Sequence, residues 1–156
     1  AEILSSATQS VQAAGADFLV LCTNTMHKVA PEIERAAGLP MLHIADATAD
    51  VLASDEVRCV GLLGTRFTME QADQREQVHR VIYEELCQGE VRPESKQQYL
   101  DIVADLAQRG AQGVILGCTE IGLLIRGADT PVKLYDTTEI HAEQAVAYAL
   151  AGHKRP

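Results

Sequence analysis

The amino-acid sequence predicts an α/β fold in two similar halves, each with a mainly parallel sheet flanked by helices. Helical patterns of apolar residues alternate with short apolar strands along the 156 residues. Residues 57–63 are almost uniformly apolar, which is typical of a strand in a parallel sheet that is covered on both faces. The segment at residues 15–25 recurs at residues 110–120.

The elements of the first half follow that alternation in order. Apolar residues at positions 3–14 recur at helical spacing, and Gly15 is placed to end that helix. Residues 17–21 form a short apolar strand candidate. A second helix begins near Thr25 and is stopped by Gly38, and residues 39–44 can form the next strand.

The second half continues the same pattern. After the strand at residues 57–63, the spacing of Val78, Ile82 and Leu86 predicts a helix that closes near Gly89. Residues 99–106 predict another helix, closed by Gly110, and the last strands are expected at residues 114–116 and 132–135. Such an architecture places ligands at the carboxyl ends of the strands.

The repeat identifies the candidate catalytic positions. Residues 15–25 align without gaps on residues 110–120, and the alignment pairs Thr23, not Cys22, with Cys118. Because successive strand residues point to opposite faces, we expect Thr23 and Cys118 to face one ligand from opposite sides. A separation of about 7 to 9 Å would leave room for one reacting carbon between them. Cys22 is expected to point into its own domain.

Polar residues beside these positions are candidates for substrate binding. Asn24 with Thr25, and Thr119 with Glu120, open the helix that follows each strand, where free backbone N–H groups and hydroxyls suit a carboxylate. Thr65 follows an apolar strand and Gly64, so it either binds a carboxylate or forms a turn.

Composition excludes several classes of function. A net charge of −9 argues against binding to nucleic acid, which needs clustered Lys and Arg. No apolar run is long enough to span a bilayer, so we expect a cytoplasmic protein without membrane contact. The four cysteines lie far apart and form no metal-binding motif, which favours free thiols and no metal site. Cys59 and Cys87 are expected to be structural, and Glu84 and Glu85 to form a solvated helix face.

At these residues the chain resembles the aspartate/glutamate racemase family, in particular its L-aspartate/glutamate and broad-specificity branch. The resemblance implies two pseudo-symmetric α/β domains with the active site between them, and neither pyridoxal phosphate nor metal. The family pattern has one cysteine before Asn-Thr and another before Thr-Glu, and Thr23 occupies the first of those places here. The matching stretches are residues 21–27, 43–48, 61–65, 117–121 and 135–142.

The resemblance implies racemisation of aspartate, glutamate or both by two-base proton transfer at Cα. Removal of a weakly acidic α-proton needs a base on one face of Cα and an acid on the other. By resemblance, Cys118 takes the proton from the L-enantiomer, and its place at a helix N-terminus is expected to lower the pKa of its thiol toward neutrality. Thr23 can donate a proton but is a far weaker base, so turnover from L to D should be faster.

Two alternatives stay open at this point. One is another enzyme on the same scaffold, of the maleate isomerase, hydantoin racemase or arylmalonate decarboxylase type. The other is a small-molecule binding protein without catalysis.

The domains are expected at residues 1–50 with 131–156 and at residues 51–130, and the protein is expected to be a homodimer. By resemblance, a first strand and turn are missing before Ala1, and a further segment is missing near residues 71–72. The second omission predicts a Cα–Cα separation well above about 3.8 Å between Met69 and Gln74.

Overall fold

A computed structural model of the chain describes residues 2–65 and 74–152. It confirms an α/β fold with parallel sheets flanked by helices. Within the described residues each predicted strand is present, although most are shorter than the apolar runs that predicted them. Short 3-10 turns cover Thr25–Val29, Leu86–Gln88 and Gly127–Asp129. The helices and strands are α1 (Glu2–Ala13), β1 (Leu19–Val20), α2 (Ala30–Ala37), β2 (Met41–Leu42), α3 (Ile44–Ser54), β3 (Val60–Leu63), α4 (Arg75–Glu84), α5 (Pro93–Gln108), β4 (Gly113–Leu116), α6 (Ile121–Leu124), β5 (Lys133–Asp136) and α7 (Thr137–Leu150).

The chain divides into two compact units. The first comprises Ala1–Ala49 and Thr138–Pro156, and the second comprises Asp50–Thr137. The boundary on the C-terminal side therefore falls after Thr137 rather than before Pro131. The reason is that β5 pairs with β4 along its whole length, which ties residues 133–136 to the sheet of the second unit.

In the first unit β1 and β2 pair in parallel, with Leu19 opposite Met41. Helix α2 connects these strands, and it begins with Pro31 in its first turn and ends at Gly38 in the left-handed conformation. Its apolar face packs on the strands. The core of this unit consists of Leu19, Ala30, Ile33, Ala37, Leu39 and Met41.

In the second unit β3, β4 and β5 form a parallel sheet with β4 in the middle. Helices α4 and α5 lie between β3 and β4 in sequence and supply most of the apolar residues that cover the sheet. Tyr99 of α5 is fully buried, and its hydroxyl donates a hydrogen bond to the Val78 carbonyl at 2.8 Å. This bond satisfies the one polar group that the ring brings into the core.

The repeat is visible in the backbone of both units. Gly15 and Gly110 have positive φ angles of 97° and 101°. The N–H of each glycine donates a hydrogen bond to the carbonyl three residues earlier, at 2.9 Å in the first copy and 3.0 Å in the second. The N–H of the following residue donates to the carbonyl five residues before it, at 3.3 and 3.0 Å. These paired bonds close a helix by a Schellman motif, so both copies enter their strand by the same turn.

Helices α3 and α7 were not predicted. Both are rich in alanine, whose small side chain weakens the apolar period on which the prediction depended. The predicted chain break between Met69 and Gln74 falls mainly on residues 66–73, which lie outside the described residues. No helix in the described ranges is both long enough and apolar enough to cross a membrane.

The expectation of a solvated Glu85 is wrong. Glu85 is 7% exposed, and its carboxylate accepts a hydrogen bond from the Ser95 hydroxyl at 2.5 Å. Arg92 lies 3.8 Å from the same carboxylate. These partners compensate its burial, because a carboxylate removed from water needs donors around it.

Candidate functional site

The carboxyl edge of the second sheet brings together several of the predicted site residues. Parallel pairing aligns Leu63, Leu116 and Asp136 across β3, β4 and β5. Thr65 follows the first of these strands and Cys118 follows the second. Both therefore lie at the edge where ligands bind in parallel α/β sheets.

Thr65 is buried at this edge, with 8% of its surface exposed. Its hydroxyl oxygen has no hydrogen-bond partner among the described residues. A buried hydroxyl without a partner loses its bonds to water, and this loss is recovered when a ligand supplies the missing group.

Cys118 follows β4 in a half-buried position, and its thiol donates a hydrogen bond to Glu120 Oε2 at 2.9 Å. Desolvation by burial, followed by this hydrogen bond to a carboxylate, raises the pKa of Cys118 to about 12. The expectation that helix placement lowers its pKa toward neutrality is therefore wrong. The negative charge of Glu120 disfavours a second negative charge on the sulfur, and Cys118 rests as a thiol.

Glu120 is the complementary half of this pair. Desolvation acts to raise the pKa of its carboxyl group, but hydrogen bonds from Cys118, Thr119 and its own amide outweigh that effect and lower the pKa. Thr119 and Glu120 are both half-buried. The edge thus holds a protonated thiol beside an ionised carboxylate.

Cys87 also belongs to this neighbourhood, although the sequence predicted a structural role for it. The residue is exposed rather than part of the core. Desolvation of its sulfur, followed by the charge of Glu120, raises the pKa of Cys87. Its nearness depends on how the 3-10 turn Leu86–Gln88 packs against α6, and no spacing in the sequence encodes that contact.

In the first unit, Thr23 lies in the turn that follows β1. Its N–H donates to the Leu21 carbonyl at 2.8 Å, and its side chain is half-buried, like those of Asn24 and Thr25. Cys22 is exposed, so the expectation that it points into the core of its domain is wrong. The physical reason is that β1 ends at Val20 and the chain then turns, so the alternation of a strand does not extend to residue 22.

His27 lies beside the turn that carries Thr23, where the sequence is compatible with a buried polar residue that braces the site. It is 8% exposed, and its Nδ1 lies 2.7 Å from the Thr23 carbonyl oxygen. On the other side of the ring, the Ile44 N–H donates to its Nε2 at 3.2 Å. Desolvation, with smaller contributions from His43 and His141, lowers the pKa of His27, and the carbonyls of Thr23 and Leu42 oppose this shift.

Comparison with known proteins identifies the family. The family model described as Asp/Glu/Hydantoin racemase matches residues 1–145 of the chain. The chain belongs to the Asp/Glu/hydantoin racemase family. Family membership and the names of the relatives support an amino-acid racemase activity.

Three racemase relatives illustrate the similarity. The broad specificity amino-acid racemase RacX of Bacillus subtilis (strain 168) is 23% identical over 152 residues, which cover 88% of this chain and 66% of that protein. A provisionally assigned Asp/Glu racemase structure from Yersinia pestis is 47% identical, with a TM-score of 0.88 over 96% of this chain and 73% of that one. An aspartate racemase homologue from Pyrococcus horikoshii OT3 is 31% identical, with a TM-score of 0.86 over 96% of this chain and 74% of that one.

The chain therefore spans about two thirds to three quarters of the length of these racemase relatives. Across residues 2–65 and 74–152, no group of three or more His, Cys, Asp and Glu side chains is arranged to hold a metal ion. The chemistry available at the two strand edges comes from a thiol, hydroxyls, an imidazole and carboxylates.

Proposed function

We propose that the chain catalyses racemisation of an acidic amino acid, aspartate or glutamate or both, without a cofactor. In this proposal Cys118 and Thr23 exchange a proton with Cα from its two faces. The observation that carries the proposal is the half-buried Cys118 thiol, hydrogen-bonded to Glu120 at the carboxyl edge of a parallel sheet. This arrangement supplies a titratable sulfur with a built-in proton acceptor.

The resting thiol must lose its proton before it can act as a base. Glu120 accepts the hydrogen bond of that thiol and is the nearest described acceptor for the proton. A bound amino acid brings a positive α-ammonium group, and a positive charge beside a thiol lowers its pKa. We propose that substrate binding in this way generates the thiolate that removes the α-proton of the L-enantiomer.

The substrate carboxylates need donors that hold them during the reaction. The unpartnered hydroxyl of Thr65 and the polar groups of Thr119 serve this role in the second unit. Asn24 and Thr25 serve it in the first. Donors that stabilise the carboxylate as the carbanion develops lower the barrier most when they are fixed in advance.

Thr23 protonates the carbanion from the opposite face in this proposal. A threonine hydroxyl donates readily but is a weak base, so the step that begins on the D-enantiomer is slower than the step that begins on the L-enantiomer. The facing of Thr23 and Cys118 at about 7 to 9 Å stays a prediction of the sequence repeat. We propose in addition a cytoplasmic homodimer, whose state size-exclusion chromatography with light scattering measures.

Proton exchange in deuterated water tests this function. The protein is incubated with L- and D-aspartate and L- and D-glutamate, and deuterium at Cα and the opposite enantiomer are both quantified. We expect both products with at least one acidic amino acid. The matched controls are Cys118→Ala, which should be inactive, and Cys59→Ala, which changes an exposed cysteine at the amino end of β3 and should be fully active. Absence of exchange with all four substrates would exclude the racemase.

A decarboxylase of the arylmalonate type is the second candidate, because one observation favours it. Such a reaction generates its carbanion by loss of CO2 and then needs one proton donor and no base. Cys118, held as a thiol, fits that demand as it stands. Release of CO2 from an α-substituted malonate, without exchange at aspartate or glutamate, would favour the decarboxylase over the racemase.

A further inference from the structure

We propose that His27 is a positioning residue for Thr23, and that its neutral, Nδ1-protonated ring fixes the turn that carries this threonine. The inference deepens the proposed function and rests on it, since it concerns the group that reprotonates the carbanion. It starts from the hydrogen bonds of the ring.

The hydrogen bonds of the ring to Thr23 and Ile44 indicate where its proton lies. The Thr23 carbonyl, 2.7 Å from Nδ1, can only accept a hydrogen bond. The Ile44 N–H, 3.2 Å from Nε2, can only donate one. Both bonds form together only when Nδ1 carries the proton and Nε2 is bare. A protonated ring would place an N–H against the N–H of Ile44 and break this contact.

The ring connects two parts of the first unit that are far apart in sequence. Thr23 lies in the turn after β1, and Ile44 is the first residue of α3, where backbone N–H groups lack partners within the helix. His27 supplies such a partner and holds the Thr23 carbonyl with its other nitrogen. The rotation of the Thr23 peptide, and with it the direction of the hydroxyl, is thereby coupled to the start of α3.

Two further histidines of the first unit lie near the ring. The ring centroid of His27 lies 4.4 Å from that of His43 and 5.9 Å from that of His141. The Nε2 of His141 donates to the Leu42 carbonyl at 2.8 Å, so this ring is anchored on β2 rather than on Thr23. His141 is 3% exposed and is therefore a matched control, equally buried but outside the Thr23 contact.

Three substitutions separate the two contacts of His27. His27→Asn can place an amide N–H where Nδ1 lies and so keep the bond to Thr23, but it cannot reach Ile44. His27→Gln can place its carbonyl oxygen near Ile44, but it loses the bond to Thr23. His27→Phe removes both bonds. The Asn and Gln variants retain a polar side chain and serve the test if the Phe variant fails to fold.

The diagnostic readout is the ratio of inversion to exchange from L-aspartate in deuterated water. Exchange requires only the Cys118 face, whereas inversion also requires Thr23. We expect His27→Gln and His27→Phe to lower the ratio by about 10- to 100-fold, the usual effect of a misplaced catalytic group. His27→Asn and His141→Gln should leave it nearly unchanged. A parallel loss of exchange and inversion in every His27 variant would show a merely structural role and overturn the proposal.

Nuclear magnetic resonance of the full chain separates this proposal from the proposed function. In protein labelled with 15N at histidine, we expect His27 to carry its proton on Nδ1 at neutral pH. The amide resonances of Thr23 and Asn24 should shift in His27→Gln and stay in His141→Gln. If the protein has no racemase activity but these signatures are present, the function is wrong and the positioning of Thr23 stands. An Nε2-protonated ring would contradict the positioning.

Discussion

The carboxyl edges of the two sheets share a backbone plan and differ in their side chains. The repeat aligns Thr23 with Cys118, and the same offset places His27 opposite Gly122. In the first unit the residue after the strand is held through its carbonyl by an imidazole. In the second it is held through its thiol by the carboxylate of Glu120.

The neighbouring strands extend this contrast. Leu19 pairs with Met41 and its counterpart Val114 pairs with Leu134, so His43 and Asp136 occupy equivalent positions two residues further on. The ring of His43 packs against His27 in the first unit. In the second, the Asp136 carboxylate occupies the space where a Cβ at residue 122 would stand.

The same backbone plan therefore carries two groups of unequal acid strength, Thr23 and Cys118. The first edge is lined with imidazoles and hydroxyls, and a threonine hydroxyl is a far weaker base than a thiolate. At the second edge, burial and the neighbouring Glu120 carboxylate disfavour ionisation of the Cys118 thiol.

Replacement of the thiol itself should have the greatest consequence. Cys118→Ser removes the thiol, and a serine hydroxyl ionises far less readily than a thiol and cannot replace it as a base. We expect kcat from L-aspartate to fall by about 10²- to 10⁴-fold, the range typical of a lost general base. Cys59→Ser is the control and should retain wild-type rates. Comparable activity in the two variants would remove Cys118 from the mechanism.

The pH dependence of the reaction should report the raised pKa of Cys118. Because kcat/KM reflects the free enzyme, and burial with Glu120 raises the pKa of this thiol to about 12, the thiolate fraction grows with pH throughout the working range. We expect kcat/KM for L-aspartate to rise about tenfold per pH unit between about pH 6 and 9. The kcat profile should level off at a lower pH than the kcat/KM profile, because the substrate ammonium lowers the pKa of Cys118 in the complex. A kcat/KM plateau already reached near neutrality would show that the thiolate forms without substrate.

A methyl group at residue 122 should disturb the second edge. In Gly122→Ala the new Cβ would overlap the Asp136 carboxylate, which must then move. We expect a loss of about 1 to 3 kcal/mol in the free energy of unfolding, as for other overpacked sites. The control is Gly127→Ala, where nothing lies within 4 Å of the added carbon. Equal denaturant midpoints for the two variants would disprove the close approach.

The smallest effect should be the loss of folding stability at low pH that arises from His27 in the first unit. Desolvation, with contributions from His43 and His141, lowers the pKa of His27 in the folded chain, whereas its unfolded value is about 6.5. Folding therefore favours the neutral ring. The stability it contributes is complete above about pH 6.5 and is lost as pH falls toward the folded pKa.

Urea unfolding between about pH 7.5 and 5 measures this loss. The wild type should lose more stability over that interval than His27→Asn, which has no titrating ring at this position. Identical pH slopes for the two proteins would contradict a lowered pKa for His27.

The fold could be predicted from the sequence, but the electrostatics of the candidate site could not. Gly15 and Gly110 end helices by the same turn because left-handed backbone there requires glycine, and that requirement is visible in a sequence. Thr23 and Cys118 follow β1 and β4, as the repeat predicted.

What the sequence could not provide depends on turns and burial. The bond from Cys118 to Glu120 joins residues two apart, and it forms only in the geometry that the chain adopts after β4. Cys22 became exposed because β1 is shorter than its apolar run. Glu85 can be buried because Ser95 and Arg92, at the start of the following helix, supply donors to its carboxylate.

The most direct test of the account is the variant that makes the two edges chemically alike. Thr23→Cys places a thiol at both repeat positions, and initial rates are measured from pure L- and pure D-aspartate. Equilibrium cannot change, because the enantiomers have equal free energies in water. We expect the wild type to be faster from L to D, and the variant to gain more in D-to-L turnover than in L-to-D turnover. Equal wild-type rates from both enantiomers, or an unchanged ratio in Thr23→Cys, would contradict the assignment of unequal roles to Thr23 and Cys118.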